Sequence, residues 1–527
     1  MTSTPSLTVL HLAGSSETRF YFECSFLWAK DACTFPEQNV KNYYAMLLPP
    51  SNVCEGAGRF ALLEDKVPEE LLATDLMDLK YLKNPELDKM VTLLSKAELI
   101  GALRGEGTTY KFARVIQLVV PHMFDAEGLT TWRTFMADKL HLPVVGPPGS
   151  VNVLAQDKVA CRGVLEELVV TSADGKSERR IIPSGFAVRR AELVDASGSV
   201  GDVVAQALVT RIRAEAGGFP VMLKSPLEDN SRGVRLLGRQ CLHGPSSRKS
   251  EDGSAAQTGL DAALAKELKA TAEELLGMGN TLLFEQFVPG REFRFGAIEL
   301  LNPRGLDAYR HGSTEQKAAG AACAGANIGA ARESGVAPRV HGLPVMLEYV
   351  MTDPRMPIRT PEDKLITDSL GQKVANFRGI CQRRYVSCDA RVYTTPDPTT
   401  GKIVPKRDTD KVDHTVYPVS AELQREVEDM VRVAHKALGC RGYSLFDIRV
   451  DRVSGRPFII ECCAFWSFSP ISILSGMLQA AGIDYERVIL DLWREHALSP
   501  AAAEARKYPS IDLSQPLSPA GAATSTK

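Results

Sequence analysis

The stretch that most constrains this chain is Gly439 to Ser472, GCRGYSLFDIRVDRVSGRPFIIECCAFWSFSPIS. Two half-apolar, β-branched runs, Ser444 to Val450 and Pro457 to Glu461, flank Asp451-Arg452-Val453-Ser454-Gly455. That is turn chemistry, and it predicts an antiparallel hairpin. On such a hairpin Asp447 and Glu461 can fall side by side on one face, and two carboxylates held that close repel unless a cation stands between them. Hard oxygen ligands suit Mg²⁺ bridging phosphates, so the hairpin points to a metal-nucleotide site. Two solvated strand carboxylates are the competing reading.

With 527 residues, 44% of them hydrophobic, the chain can build about two to four ordinary domains with real cores. A formal charge of -2 and a pI near 6.5 supply no global basic field, so neither nucleic acid nor an anionic membrane is an expected partner. Small molecules are the better expectation. The 11 cysteines include no CxxC pair and no zinc-like quartet, which reads as reduced thiols in a cytoplasmic protein. No run reaches membrane-spanning length, and the N-terminal MTSTPSLTVLHLAGSS lacks the layout of a secretory signal.

Leu7 to Ala13, Gly14-Ser15-Ser16-Glu17 and a helical pattern over Phe20 to Lys30 read as strand, glycine turn and helix, the opening of an α/β unit. Val115 to Pro121 is a near-continuous apolar run, as expected of a buried parallel strand. His122 follows it, where open α/β sheets bind ligands, although a satisfied turn histidine fits equally. A helix is predicted over Gly128 to Leu140, a strand over Leu142 to Pro147 and a domain boundary at Gly146 to Gly149. Asn152 to Val170 reads as a helix containing Asp157-Lys158.

Phe219 to Lys224 reads as a strand running into Ser225-Pro226-Leu227-Glu228-Asp229-Asn230-Ser231-Arg232-Gly233-Val234. A lysine at a strand exit beside a small-polar, glycine-closed loop has the parts to hold a polyphosphate: a mobile charge, backbone N-H groups and short side chains. It is not a P-loop, and a plain hairpin with a solvated lysine is the alternative. An exposed insertion is expected near 241-260, then a helix over Asp261 to Leu276 and a strand over Thr281 to Val288. Pro289-Gly290 makes a hinge into Arg291 to Ile298, whose backbone can bond an adenine edge while Glu292 is placed for a ribose. Beyond a flexible insertion near 310-342 come strands at Leu343 to Val350 and Arg383 to Ser387, with a Pro-punctuated loop carrying Lys364 between them. An amphipathic helix over Ala421 to Leu438 leads into the hairpin, and helices at Ile471 to Ala481 and Ile489 to His496 close the fold.

In this order the parts resemble the ATP-grasp superfamily and, more narrowly, the D-alanine-D-alanine ligases, over about residues 7 to 498. The segments GCRGYSLFDIRVD, FEQFVPGREF and KSPLEDNSRGV carry the resemblance. It implies an α/β and α+β fold in four stretches: an N-terminal Rossmann-like domain (1-147), a central ATP-grasp subdomain (148-288), a C-terminal ATP-grasp subdomain (289-498) and a disordered tail (499-527). It implies ATP as cosubstrate with Mg²⁺, or Mn²⁺ in its place. Lys158 and Lys224 would contact phosphates. Glu285, Gln286 and Val288 would bind the nucleotide, the last two through hinge backbone, and Glu292 the ribose. Asp447 and Glu461 would hold the metal. Glu17 would lie near the first substrate's amine, Asn230 and Ser231 in the loop that closes over the phosphates, Lys364 in a second loop and Ser472 on the substrate side. His122 matches the histidine of the second strand exit.

The implied activity is ligation: ATP phosphorylates a carboxylate, or an enolic oxygen as in the ligases of mycosporine-like amino acid pathways, and an amino acid's amine displaces the phosphate. A homodimer is left open. Leu445 stands where the family has an arginine and Cys463 where it has a metal-completing asparagine, a soft donor poorly suited to Mg²⁺. The family's Tyr-Asp-Tyr-x-x-Lys-Tyr loop lacks its tyrosines around Lys364, and Phe465, Trp466 and Phe468 replace a glycine-containing stretch. Those rings line a larger acceptor pocket or pack the core. An ATP-binding pseudoenzyme or regulatory module is the alternative function.

Overall fold

The computed structural model describes residues 7–15, 17, 19–32, 40–47, 60–64, 92–104, 116–171, 175, 177–228, 233–242, 253–302, 304–310, 337–350, 365–367, 373–375, 382–389, 416–470 and 472–498. Three larger sheets organise them. In the N-terminal sheet the order is Thr92–Leu94, Phe60–Glu64, Val40–Leu47, Leu7–Gly14, Leu118–Pro121, and Leu7–Gly14 runs parallel to both its neighbours. It is buried at every position because alternation sends Leu7 and Val9 to one core and Leu10 and Leu12 to another. The expected turn and helix follow, the helix spanning Arg19–Ala32. Gly14 has φ 94°, and a Cβ there would meet the Leu47 carbonyl oxygen, so only glycine fits.

Three local expectations give way here. The helix read over Gly128 to Leu140 forms as two π-helical segments, Glu127–Trp132 and Phe135–Lys139. The strand read over Leu142 to Pro147 shrinks to one parallel bridge, Val119 to Val144, because Pro143 and Pro147 have no N-H to give a ladder. The helix read over Asn152 to Val170 breaks into Gly149–Gln156 and Lys158–Leu165. At the break the Asp157 carboxylate accepts from the N-H groups of Val159 (2.9 Å) and Ala160 (3.0 Å), capping the second helix where the first ends.

The central sheet is antiparallel, in the order Val234–Leu237, Val221–Lys224, Thr281–Gln286, Gly185–Arg189. Helices Asp202–Glu215 and Gly253–Leu276 cover one face, with Leu208, Ile212, Leu268 and Leu275 packed among Leu223 and Phe284. The second helix takes in the end of the insertion expected near 241-260; its alanine-rich sequence favours helix.

The C-terminal sheet runs Val416–Pro418, Gln382–Ser387, Met346–Val350, Gly290–Leu300, Tyr443–Asp451, Pro457–Cys463, with Arg339–Gly342 also paired to Gly290–Leu300. That last strand belongs to the stretch read as a flexible insertion, of which 311–336 lie outside the described residues. The tail from 499 onward lies outside them too. Helix Ala421–Ala437, capped by Ser420 on the Leu423 N-H, lays Val427, Met430, Val431 and Ala434 on one face of the sheet against Phe446 and Ile448. Helices Ile473–Ala480 and Tyr485–Ala497 cover the other face, next to Tyr443, Leu445, Ile298 and Leu300.

The hairpin is formed, and Asp447 pairs with Glu461 in register just before a bulge that shifts Ile448 onto Ile459. Strand alternation then explains how a core face becomes a site. Tyr443 and Leu445 point into the core that holds helix Tyr485–Ala497, and the next two residues on that face are Asp447 and Arg449. On the neighbouring strand the same succession is Ile298, Gly296, Arg294, Glu292, in register with Tyr443, Leu445, Asp447 and Arg449. Apolar packing stops where charge begins.

Candidate functional site

Residues 287–289 link the central strand Thr281–Gln286 to Gly290–Leu300 of the C-terminal sheet, so the two sheets meet at a short corner. Gly290 has φ 152°, and a Cβ there would strike the Val450 carbonyl, which fixes glycine at this turn. Beside the corner lies a cleft of about 770 Å³, its open mouth included. It is lined by Lys158, Lys224, Glu285, Gln286, Val288, Glu292, Asp447 and Glu461, together with Met222, Glu228, Val234, Phe287, Arg449 and Ile460. The sequence reading placed the first eight of these at a nucleotide and its metal, and they come from six separate helices and strands and from the corner itself. Met222, Phe287, Val288 and Ile460 give the cleft apolar walls and the charged groups give it a polar end, which is how small-molecule sites are built.

The charges are arranged in pairs. Lys224 forms a buried ion pair with Glu285 on the adjacent strand, and Arg162 reaches the same carboxylate at 3.4 Å. Lys158 Nζ, at the start of its helix, donates to the Glu228 carbonyl at 2.7 Å and lies 3.2 Å from Glu461 Oε1. Arg294 Nη2 donates to Asp447 Oδ2 at 3.1 Å, while its Nε stands 2.5 Å from Oδ1 without hydrogen-bond alignment. Burial pulls the Arg294 guanidinium down, yet Asp447 more than offsets this and holds it well above its ordinary value. Arg449 donates from Nε to the Val288 carbonyl at 2.9 Å and from Nη2 to that of Gly290 at 3.2 Å, and pairs with Glu292 at 3.3 Å.

Arg294, Arg449 and Arg162 were missed by sequence reasoning. The signal existed: Glu292-x-Arg294 and Asp447-x-Arg449 carry opposite charges at spacing two, and antiparallel pairing sets each against its complement.

Other expected site residues fall elsewhere. Asn230, Ser231 and Lys364 lie outside the described residues. Glu17 is exposed on the turn after Leu7–Gly14, near Asp125, and does not line the cleft. Ser472 caps helix Ile473–Ala480, its Oγ accepting from the Ser475 N-H and from Trp466 Nε1. Trp466 and Phe468 are core residues packed with Tyr443 and Trp493, so these two rings follow the core reading rather than the pocket reading. Phe465 packs on Trp28 and Phe124. His122 is fully buried, its Nε2 2.9 Å from Nδ1 of His11, and burial followed by His11 drives it well below its ordinary value. It is a neutral core histidine.

Asp447 and Glu461 offer two opposed carboxylates at a lysine-rich cleft end, the donor set by which Mg²⁺ is held when phosphates and water complete its shell. Among the described residues no group of three or more His, Cys, Asp or Glu could hold a metal. The set therefore fits a nucleotide-borne ion rather than an all-protein cage. Among the described residues no helix is long and apolar enough to cross a membrane.

The family model described as the D-ala D-ala ligase C-terminus matches residues 406–494. The D-alanine-D-alanine ligase of Albidiferax ferrireducens is 30% identical over 95 residues, 17% of this chain and 28% of that protein. That of Cupriavidus pinatubonensis is 34% identical over 74 residues, 14% of this chain and 22% of that protein. The chain thus matches about a quarter of the length of these curated relatives. Among solved structures, the D-alanine-D-alanine ligase from Coxiella burnetii aligns with a TM-score of 0.53 at 14% identity, over 95% of this chain and 97% of that one. The VanG D-Ala:D-Ser ligase from Enterococcus faecalis aligns with a TM-score of 0.53 at 13% identity, over 93% and 99%. The chain is thus similar in fold to D-alanine-D-alanine ligases, and residues 406–494 are the part in which that likeness is legible in sequence.

Proposed function

We propose that the chain is an ATP-dependent carboxylate-amine ligase. The observation that carries this is the convergence of Lys158, Lys224, Asp447 and Glu461 on one cleft between two sheets, beside a three-residue hinge. A carboxylate is a poor electrophile at neutral pH. Transfer of the ATP γ-phosphoryl to it makes an acyl phosphate, and transfer to an enolic oxygen makes an enol phosphate; in either case an amino acid's amine then adds to the activated carbon and inorganic phosphate leaves. Lys158 and Lys224 offset phosphate charge, the backbone of Gln286 and Val288 holds the adenine edge, and Glu292 takes the ribose. Asp447 and Glu461 hold Mg²⁺, or Mn²⁺, which when bound withdraws charge from the β- and γ-phosphates. Asn230, Ser231 and Lys364 serve to shield the reacting groups from water; Glu17 and Ser472 serve the amino acid side. In this reading the functional units are residues 1-147, 148-288 and 289-498, and the protein works in the cytoplasm.

The test is ADP and phosphate release with Mg²⁺ across a panel of acids and amines, with the ligated product read by mass spectrometry. Stimulation by a particular pair supports the ligase. Bound ATP with no stimulation across the panel sinks it in favour of a nucleotide-binding module, the reading that Cys463 beside the carboxylates supports.

A further inference from the structure

Three adjacent strands carry a row of charge at the end of the cleft: Arg294, Asp447 and Glu461, each in register with the next, the two carboxylates lining the cleft and Arg294 paired beside Asp447. One step toward the core the row is Gly296, Leu445, Cys463. Arg294 sits on regular strand, not on a loop, with 19% of its side chain exposed. Asp447 holds it on one side, and the Tyr349 ring lies 5.6 Å from its guanidinium carbon. Such a cation is positioned before any ligand arrives.

The donors around it suit one divalent ion and not two. Asp447 and Glu461 are the two carboxylates of the row, and Asp447 already has both oxygens turned to a guanidinium. The next donor inward is the Cys463 thiol, in register with Leu445, and sulfur is a soft donor poorly suited to a hard divalent ion. Charge on a transferring phosphoryl group still has to be met from more than one side.

We propose that Arg294 is a resident second cation of this site, its guanidinium meeting phosphoryl charge where a second divalent ion would otherwise be needed, so that nucleotide binds with one ion per chain. This rests on the nucleotide reading given under Proposed function.

The test counts Mn²⁺ by electron paramagnetic resonance in the full-length chain with saturating non-hydrolysable ATP analogue. One ion per chain is expected in the unaltered protein, and two in the double variant R294M/C463N, where the fixed charge is gone and an oxygen donor is added. R294M alone should weaken analogue affinity about tenfold or more, the scale of one charge-assisted hydrogen bond, and R294K should recover most of it. Two ions per chain in the unaltered protein, a count that needs no variant to fold, would overturn the proposal while leaving the ligase reading standing. Equal losses in R294M and R294K, or an R294M affinity within twofold of the unaltered chain, would overturn it as well. Absence of any Mn²⁺-analogue binding would overturn both readings.

Discussion

Lys158 and Glu461 meet across the cleft, Nζ to Oε1 at 3.2 Å, and the same ammonium donates to the Glu228 carbonyl. One side chain therefore ties a helix start, the loop after Val221–Lys224 and the carboxylate hairpin together. Glu461 is 41% exposed, so losing this pair should change stability by no more than about 1 kcal/mol. Its chemical role is another matter. Glu461→Gln is expected to leave urea unfolding nearly unchanged while lowering substrate-stimulated phosphate release about 100-fold or more. Full turnover in this variant would remove Glu461 from the metal assignment.

Lys224 and Glu285 are buried together, at 5% and 6% side-chain exposure. Removing one partner of a buried pair usually destabilises strongly because the other charge is stranded. Here Arg162 stays within 3.4 Å of the stranded carboxylate, so Lys224→Ala should cost about 2 to 3 kcal/mol, below the usual range for such a break. The same change should weaken ATP binding about 10- to 100-fold, the loss of one charge-assisted contact to phosphate. Calorimetric titration with ATP and chemical unfolding separate the two effects. Unaltered ATP affinity in a folded variant would show that Lys224 serves packing alone.

Arg449 holds the corner between the sheets by its backbone contacts to Val288 and Gly290 and its pair with Glu292. Arg449→Met keeps most of the side chain's volume and removes these restraints. ATP affinity should fall about tenfold, by loosening the adenine edge and freeing Glu292, and amide exchange at residues 287–290 should accelerate. If exchange there is unchanged, the corner is rigid without the arginine.

What could be read from sequence follows from what sequence encodes locally. The hairpin was legible because its turn chemistry and two-residue alternation are local, and Asp447 and Glu461 do pair in register. The break at Asp157 was not read, although an Asp ahead of a new helix is a local signal; the continuous apolar periodicity on both sides masked it. Arg294 and Arg449 needed knowledge of which strand lies beside Tyr443–Asp451, and that neighbour is about 150 residues away in the chain. His122 was left open between a ligand position and a satisfied histidine. A strand exit is where ligands of such sheets gather, but its partner His11 comes from the adjacent parallel strand and turns it inward.

Asp125 is 1% exposed, and burial raises its carboxyl from 3.8 to about 6, against the hydrogen bonds of Ser15 and the Gly128 N-H, with Glu17 and Glu127 adding to the rise. Between those two values the folded chain keeps a proton that the unfolded chain has released. Stability contributed by the neutral form is therefore complete below pH 3.8, is lost as pH rises toward 6, and changes no further above it. A shift of this size corresponds to about 3 kcal/mol. Asp125→Asn retains an oxygen to accept the Gly128 N-H, which Asp125 Oδ1 takes at 2.7 Å, and removes the charge. The variant should lose this group's share of the pH dependence between 4 and 6 and be more stable than the unaltered chain at pH 7. Urea unfolding at several pH values checks it: if the two proteins keep a constant difference in stability from pH 4 to 7, Asp125 does not titrate in that window.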